Sequence, residues 1–204
     1  MSRIFVYLTC VRFIPHYLYF LIAKNKQLIS DDLRRNVNLF LRRNPQMEKS
    51  SVSFYEFCYV MTFFKNVRNI YYARVANRHL YYARFLRILA KPLPLLDISS
   101  TAEIGGGLIV QHGYATILAP RKIGKNCWVN QGVTIGYTND HDCPTLGDNV
   151  TVYCGAKILG DVKVGNNVIV AANAVVVKDV PDNCVVGGVP AKIIKTIPKE
   201  SVDL

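Results

Sequence analysis

His112 and His141 are the two histidines in the second half of this 204-residue chain. An imidazole takes up and releases protons near neutral pH, so these two positions are where proton transfer is chemically available. Each lies at a break in a six-residue pattern. Branched aliphatic residues recur at Leu146, Val152, Ile158, Val164, Val170 and Val176. The same register runs backwards through Ile98, Ile104, Val110, Ile117, Ile123, Val129 and Ile135. Seven residues separate Val110 from Ile117, and eleven separate Ile135 from Leu146. His112 falls in the first interval and His141 in the second. Asp97 stands fifteen residues before His112.

The elements that must position these groups follow from the period. A helix needs apolar positions every 3.6 residues, and a long strand alternates throughout; six fits neither. Six fits a solenoid of short strands and tight turns, with three hexapeptides to a coil of about 18 residues. Small or aliphatic residues at Val150, Ala156, Val162, Val168 and Ala174 hold the second position of the repeat. The interior has no room for an insertion, so each break loops outward, where repeat proteins carry function. The Asp97–His112 offset is nearly one coil, so stacked rungs can bring the two side chains close.

The first half is different. Residues 1–95 hold 16 Lys and Arg against 4 Asp and Glu, whereas residues 96–204 hold 9 against 10, so the net charge of +11 belongs wholly to the first half. Such asymmetry suggests an anionic partner: a membrane surface, nucleic acid or a phosphorylated substrate. Residues 4–23 form an apolar run, but Arg12, Pro15 and His16 at its middle make a membrane span costly. The run reads as an interfacial helix or as one packed against neighbouring subunits, and no signal-peptide cleavage site follows it. A second amphipathic helix begins at Ser30, with Leu33, Val37, Phe40 and Leu41 on its apolar face. Ser53 and Glu56 form a capping box. The echo Asn69-Ile-Tyr-Tyr-Ala-Arg-Val75 and His79-Leu-Tyr-Tyr-Ala-Arg-Phe85 places two tyrosine pairs ten residues apart, on roughly one helix side. Arginines interleave these aromatics, but no nucleic-acid-binding motif accompanies them. His79 reads as structural. Lys91-Pro-Leu-Pro-Leu95 divides a helical domain, 1–95, from the solenoid, 96–204. The six cysteines show no C-x-x-C, no metal-ligand spacing and no disulfide framework, which suits a reducing cytoplasm.

The solenoid, the segment Leu96-Asp97-Ile98, His112 and the closing Gly188-Val-Pro-Ala-Lys192 resemble the serine acetyltransferases, within the hexapeptide-repeat acyltransferases. The likeness covers about residues 96–195. It implies an α+β chain in which a helical region precedes a left-handed parallel β-helix. It further implies a homotrimer with active sites between subunits, and acetyl transfer from acetyl-CoA to a hydroxyl without a metal. His112 falls at the family's general base and Asp97 at its orienting carboxylate. A hydroxyl must lose its proton as it attacks a thioester, and a carboxylate on the far ring nitrogen fixes the tautomer. Gly136 lies where an oxyanion can be steadied. Ala156 and Ala174 resemble the family's small residues beside the CoA groove, and Lys192 and Lys195 can meet CoA phosphates.

The chain also departs from the family. Gln111 stands where an Asp precedes the catalytic His. Asp142-Cys143-Pro144 stands where the family has Arg-His-Pro, whose Arg holds the serine carboxylate. His141, two positions earlier, can replace the missing histidine or be an exposed loop residue. An Asp in place of Arg repels a carboxylate, so the sequence leads to the expectation of a sugar hydroxyl as acceptor, in surface glycan biosynthesis. Gln111, His141, Asp142 and Cys143 would recognise it, with the basic half held at the inner face of the membrane. The alternatives are L-serine itself and a non-catalytic trimeric scaffold.

Overall fold

The computed structural model describes residues 9–41, 51–139 and 142–198, and the chain divides into two compact units, 1–93 and 94–204.

Five helices make up the described part of the first unit: α1 (Ile14–Ile22), α2 (Lys26–Leu41), α3 (Phe54–Phe63), α4 (Lys65–Ala76) and α5 (Leu80–Leu89). A single turn of 3-10 helix, Val11–Phe13, leads into α1, and Pro15 occupies its first turn, where the missing N–H costs nothing. Ser53 accepts from the Glu56 amide while the Glu56 carboxylate accepts from the Ser53 amide at 2.8 Å, so the expected capping box starts α3. The second helix begins at Lys26, a turn before Ser30. The tyrosine echo is not one helix. The chain turns at Asn77–His79, and α5 folds back on α4, so that the buried Tyr72 hydroxyl donates to the Ala90 carbonyl at 2.6 Å. Tyr71 and Tyr72 are buried, whereas Tyr81 is exposed.

The apolar run differs most from its expectation. One face of its helix sinks into its own unit, and the other stays exposed. Phe13, His16, Tyr19 and Phe20 are buried among Phe57, Tyr71, Tyr72 and Leu86. His16 Nε2 lies 3.1 Å from the Tyr72 hydroxyl, and Tyr71 donates to the His16 carbonyl at 2.5 Å. No helix among the described residues is long and apolar enough to cross a membrane.

The second unit is a left-handed parallel β-helix of about five coils. Its three flat sides are three sheets. The first holds β1 (Leu96–Ile98), β4 (Thr116–Leu118), β7 (Thr134–Gly136), β10 (Lys157–Leu159) and β13 (Val175–Val176). The second holds β2 (Glu103–Ile104), β5 (Lys122–Ile123), β8 (Thr145–Leu146) and β11 (Lys163–Val164). The third holds β3 (Ile109–Val110), β6 (Trp128–Val129), β9 (Thr151–Val152), β12 (Ile169–Val170) and β14 (Cys184–Gly187), closed by antiparallel β15 (Lys192–Thr196). The aliphatic ladder fills the interior with one correction. Leu118, not Ile117, aligns with Ile98 and Ile135 and is fully buried, while Ile117 is 46% exposed beside Asp97. The first break therefore delays the register by one residue more than the spacing of aliphatics suggests.

The three corners of the coil differ in character. Between the second and third sheets, Asn126, Asn149, Asn167 and Asn183 all adopt φ near +57°, a conformation Asn tolerates, and the side-chain amides of the last three form a ladder. That corner is structural.

His16 carries a consequence for stability. Burial, the largest cause, lowers its pKa from 6.5 to about 4. Between those values the unfolded chain binds a proton that the folded unit refuses, so stability falls as pH drops through this window and is unaffected above it. The expected loss is about 3 kcal/mol in all, at about 1.4 kcal/mol per pH unit. Urea unfolding followed by helical circular dichroism at neutral and mildly acidic pH should show this slope, and His16→Phe should flatten it.

Candidate active site

The corner between the third and first sheets carries His112. Most coils turn this corner through one residue of positive φ: Gly132 at +71°, Gly155 at +73° and Asn173 at +57°. The first coil has two inserted residues here: Ala115, at φ +50°, takes the place of Gly132, and His112 and Gly113 before it take φ +63° and +68°. The Gly113 amide donates to the Gln111 carbonyl at 2.8 Å, which closes a three-residue turn around His112. A three-residue turn with positive φ at its centre is rare and strained, and such strain concentrates at functional sites. The His112 side chain is exposed.

Gln111 is fixed from the next coil. The Trp128 indole N–H donates to Gln111 Oε1 at 3.2 Å and to Asn130 Oδ1 at 2.9 Å. With Oε1 engaged, the amide N–H groups of Gln111 remain as donors beside His112. Sequence reasoning missed Trp128 and Asn130. The signal was present: Trp128 follows Gln111 by seventeen residues, again nearly one coil. Asp97 lies on the adjacent coil, exposed in β1 and registered with Ile117 in the strand that follows the His112 turn. Among the described residues no hydrogen bond joins Asp97 to His112.

Ala156 and Ala174 stack on this same corner in higher coils, and both are fully buried. Lys192 begins β15 beside the corner, exposed, and Lys195 lies three residues further along the strand, away from it. From the His112 coil to the β14 coil the edge rises about 19 Å at about 4.8 Å per coil. Gly136 ends β7 on the first sheet, and a Cβ there would meet nothing within 4 Å.

The loop between the first and second sheets, residues 137–144, occupies a different corner. His141 lies outside the described residues. Asp142 turns its charge inward on the loop. Its carboxylate accepts from the Thr138 amide at 2.6 Å, the Asn139 amide at 3.1 Å, the Asn139 side chain at 3.0 Å and the Thr138 hydroxyl. The Thr138 hydroxyl, followed by these amides, holds its carboxyl below the ordinary range. The Cys143 thiol donates to the Ala119 carbonyl at 3.2 Å, and burial raises its pKa. Within one protomer this loop is separated from His112 by a full side of the coil, about 13 Å at ~3.3 Å per residue. The structure thus brings together His112, Gln111, Trp128 and Asn130, and places Asp142 and Cys143 elsewhere. Among the described residues no cluster of His, Cys, Asp or Glu is arranged to hold a metal ion.

Residues 143–178 match the family model described as bacterial transferase hexapeptide (six repeats). A serine acetyltransferase of Synechococcus elongatus is 38% identical over 115 residues, covering 54% of this chain and 47% of that protein. A serine acetyltransferase of Staphylococcus epidermidis is 37% identical over 123 residues, covering 58% of each. The chain thus spans about half the length of the curated relatives it matches. Among solved structures, serine acetyltransferase from Brucella abortus superposes with a TM-score of 0.67 at 27% identity, covering 87% of this chain and 72% of that one. The Neisseria gonorrhoeae serine acetyltransferase in complex with serine gives 0.66 at 28% identity, covering 88% and 73%. The chain is serine acetyltransferase-like in its hexapeptide repeats and its fold.

These likenesses overturn the sugar-hydroxyl acceptor and the role in glycan biosynthesis expected from the sequence, since the relatives at 36–38% identity are serine acetyltransferases. The error lay in reading Asp142 as a substrate-facing charge. Four donors within its own loop already occupy that carboxylate.

Removing this acceptor should loosen the loop alone. In Asp142→Ala, amide exchange at Thr138 and Asn139 should accelerate about tenfold or more, with the amides of the flanking strands unchanged. Unaltered exchange at those two amides would refute the loop-closing role.

Proposed function

We propose that the chain transfers the acetyl group of acetyl-CoA to the hydroxyl of L-serine. The observation that carries this reading is His112, exposed at the centre of a strained turn in a chain whose relatives are serine acetyltransferases. In the proposed reaction, His112 takes the proton of the serine hydroxyl as its oxygen attacks the thioester carbonyl. The tetrahedral intermediate collapses, the C–S bond breaks, and the imidazolium returns the proton to the departing CoA thiolate. Asp97 is the candidate for orienting the imidazole, through a small adjustment of two exposed side chains on adjacent coils. The Gly136 region, open where a Cβ would project, is the candidate for the oxyanion.

The edge rising from His112 to Lys192 suits acetyl-CoA laid along the corner. Its thioester then meets the base while phosphates meet Lys192, with Lys195 further out. Gln111, its Oε1 held by Trp128, directs N–H donors towards the acceptor, which suits the carboxylate of serine. The separation of His112 from the loop at 137–144 supports a homotrimer. Around a threefold axis, the loop of one copy would approach the His112 corner of the next and complete the acceptor pocket.

Release of CoA thiol in the presence of L-serine tests the reading. His112→Ala should lower kcat by about 10²–10⁴-fold. Gln111→Leu should raise KM for serine with a smaller change in kcat, because it removes a binding contact rather than the base. Absence of serine-dependent thiol release from the intact protein, or near-unaltered turnover in His112→Ala, would overturn the proposal.

A further inference from the structure

The first unit presents an apolar surface that its own fold leaves open. On the outer face of the segment through α1, Val11, Ile14, Leu18, Leu21 and Ile22 are all exposed, Ile22 to 82%. Beside it, on the outer face of α5, Tyr81, Phe85 and Ile88 are exposed, Ile88 to 78%. The two helices lie side by side: Tyr82 donates to the Pro15 carbonyl at 3.0 Å and stacks on Tyr19 with ring centroids 5.5 Å apart. Their opposite faces are already used in the core, through Phe13, His16 and Phe20 on one and Ala83 and Leu86 on the other. The outer faces together form a paired apolar ridge.

A cavity of about 500 Å³ opens at one end of this ridge, where α1 ends and α5 begins. Ile22 stands on its rim, and Lys24, Arg78, His79 and Tyr19 line it. Among the described residues neither Lys24 nor Arg78 is ion-paired. Arg84 lies over the Tyr81 ring at 5.7 Å, so a cation also borders the far part of the ridge.

We infer that the α1–α5 ridge docks on an anionic lipid bilayer, with a phospholipid headgroup phosphate in the Lys24–Arg78 cavity and the apolar side chains at the acyl boundary. Charge selects this occupant. Residues 1–93 hold 16 Lys and Arg against 4 Asp and Glu, so the same face of a second copy would meet strong like-charge repulsion. An anionic surface is complementary to it. Aliphatic side chains beside Tyr and Arg suit the headgroup–acyl boundary, where an amphipathic helix lies flat. The mode is interfacial, since no described helix can cross a bilayer. This contact goes beyond the proposed acetyl transfer and needs none of its residues.

The test is co-sedimentation of the full chain with phosphatidylcholine vesicles, with and without phosphatidylglycerol. Binding is expected only where phosphatidylglycerol is present. It should weaken as salt rises from about 0.1 to about 1 M, when the Debye length shrinks from about 10 to about 3 Å. Lys24→Ala and Arg78→Ala should each lower partitioning about fivefold, from ~1 kcal/mol per basic residue near the surface. Leu18→Asp and Ile88→Asp should each lower it about tenfold or more. All four positions are exposed, so helical circular dichroism and thiol release should be unchanged. Equal binding to both vesicle types, no binding, or partitioning indifferent to the four variants would overturn the inference. So would a change of oligomeric mass in Leu18→Asp or Ile88→Asp without a change in vesicle binding, which would assign the ridge to a second copy. Capture of inorganic phosphate by the cavity without vesicle binding would make it a soluble-anion site instead.

Discussion

One constraint governs the solenoid: a coil closes only if each flat side turns an aliphatic side chain inward while its backbone pairs with the coils above and below. Val129, Ile135, Val152, Ile158 and Val170 are wholly buried in this way, and the strands between them pair in parallel register. Each such side chain contributes about 1.5–3 kcal/mol. The parallel pairing also fixes the rise of every coil at about 4.8 Å. A polar or catalytic group has no place inside, and an inserted residue has no place on a flat side. Chemistry is therefore confined to the corners.

The corners then divide the labour. One is sealed by the asparagine ladder, where Asn149 donates to Asn167 at 3.0 Å and Asn167 to Asn183 at 2.8 Å. Gly124 and Gly147 on that corner are also constrained, since a Cβ would lie 2.5 Å from backbone of the next coil at Gly124 and 2.9 Å at Gly147. The other two corners accept insertions, and each has one: the turn at His112 and the loop at 137–144. Because a side of the coil lies between them, a pocket that uses both must be shared between copies.

The solenoid was legible because its signal is local and redundant. A six-residue period repeated down the chain survives one misplaced rung, and one rung was misplaced. Ile117 and Leu118 are adjacent and both aliphatic, so spacing alone could not tell which turned inward; pairing with Ile98 and Ile135 decides it. Asp142 was misread for a different reason. Its offsets of three and four from Asn139 and Thr138 are those of a carboxylate closing its own turn, a signal open to sequence reading but outweighed by the residue it replaces. The run at 4–23 could not be resolved locally at all. What makes His16 tolerable in an apolar segment is Tyr72, fifty-six residues away, and nothing in the segment announces that partner.

The same long-range satisfaction shapes the charge of the helical unit. Arg68 is buried at 4% exposure with its guanidinium spent on main-chain carbonyls of Met61, Thr62 and Lys91. Arg74, at 7% exposure, takes both oxygens of Asp32 at 2.8 and 3.2 Å. Of the other acids, Asp31 is held by Arg34 at 2.6 Å and Glu56 by the Ser53 cap. The acidic side chains described in this unit are thus committed to internal partners, whereas Lys24, Arg78, Arg84 and Arg87 stand outside without an ion pair among the described residues. A net charge counted from composition treats acids and bases as mixed. Here the acids are tied down one by one, so the positive surface around α1 and α5 is less compensated than the bare count implies.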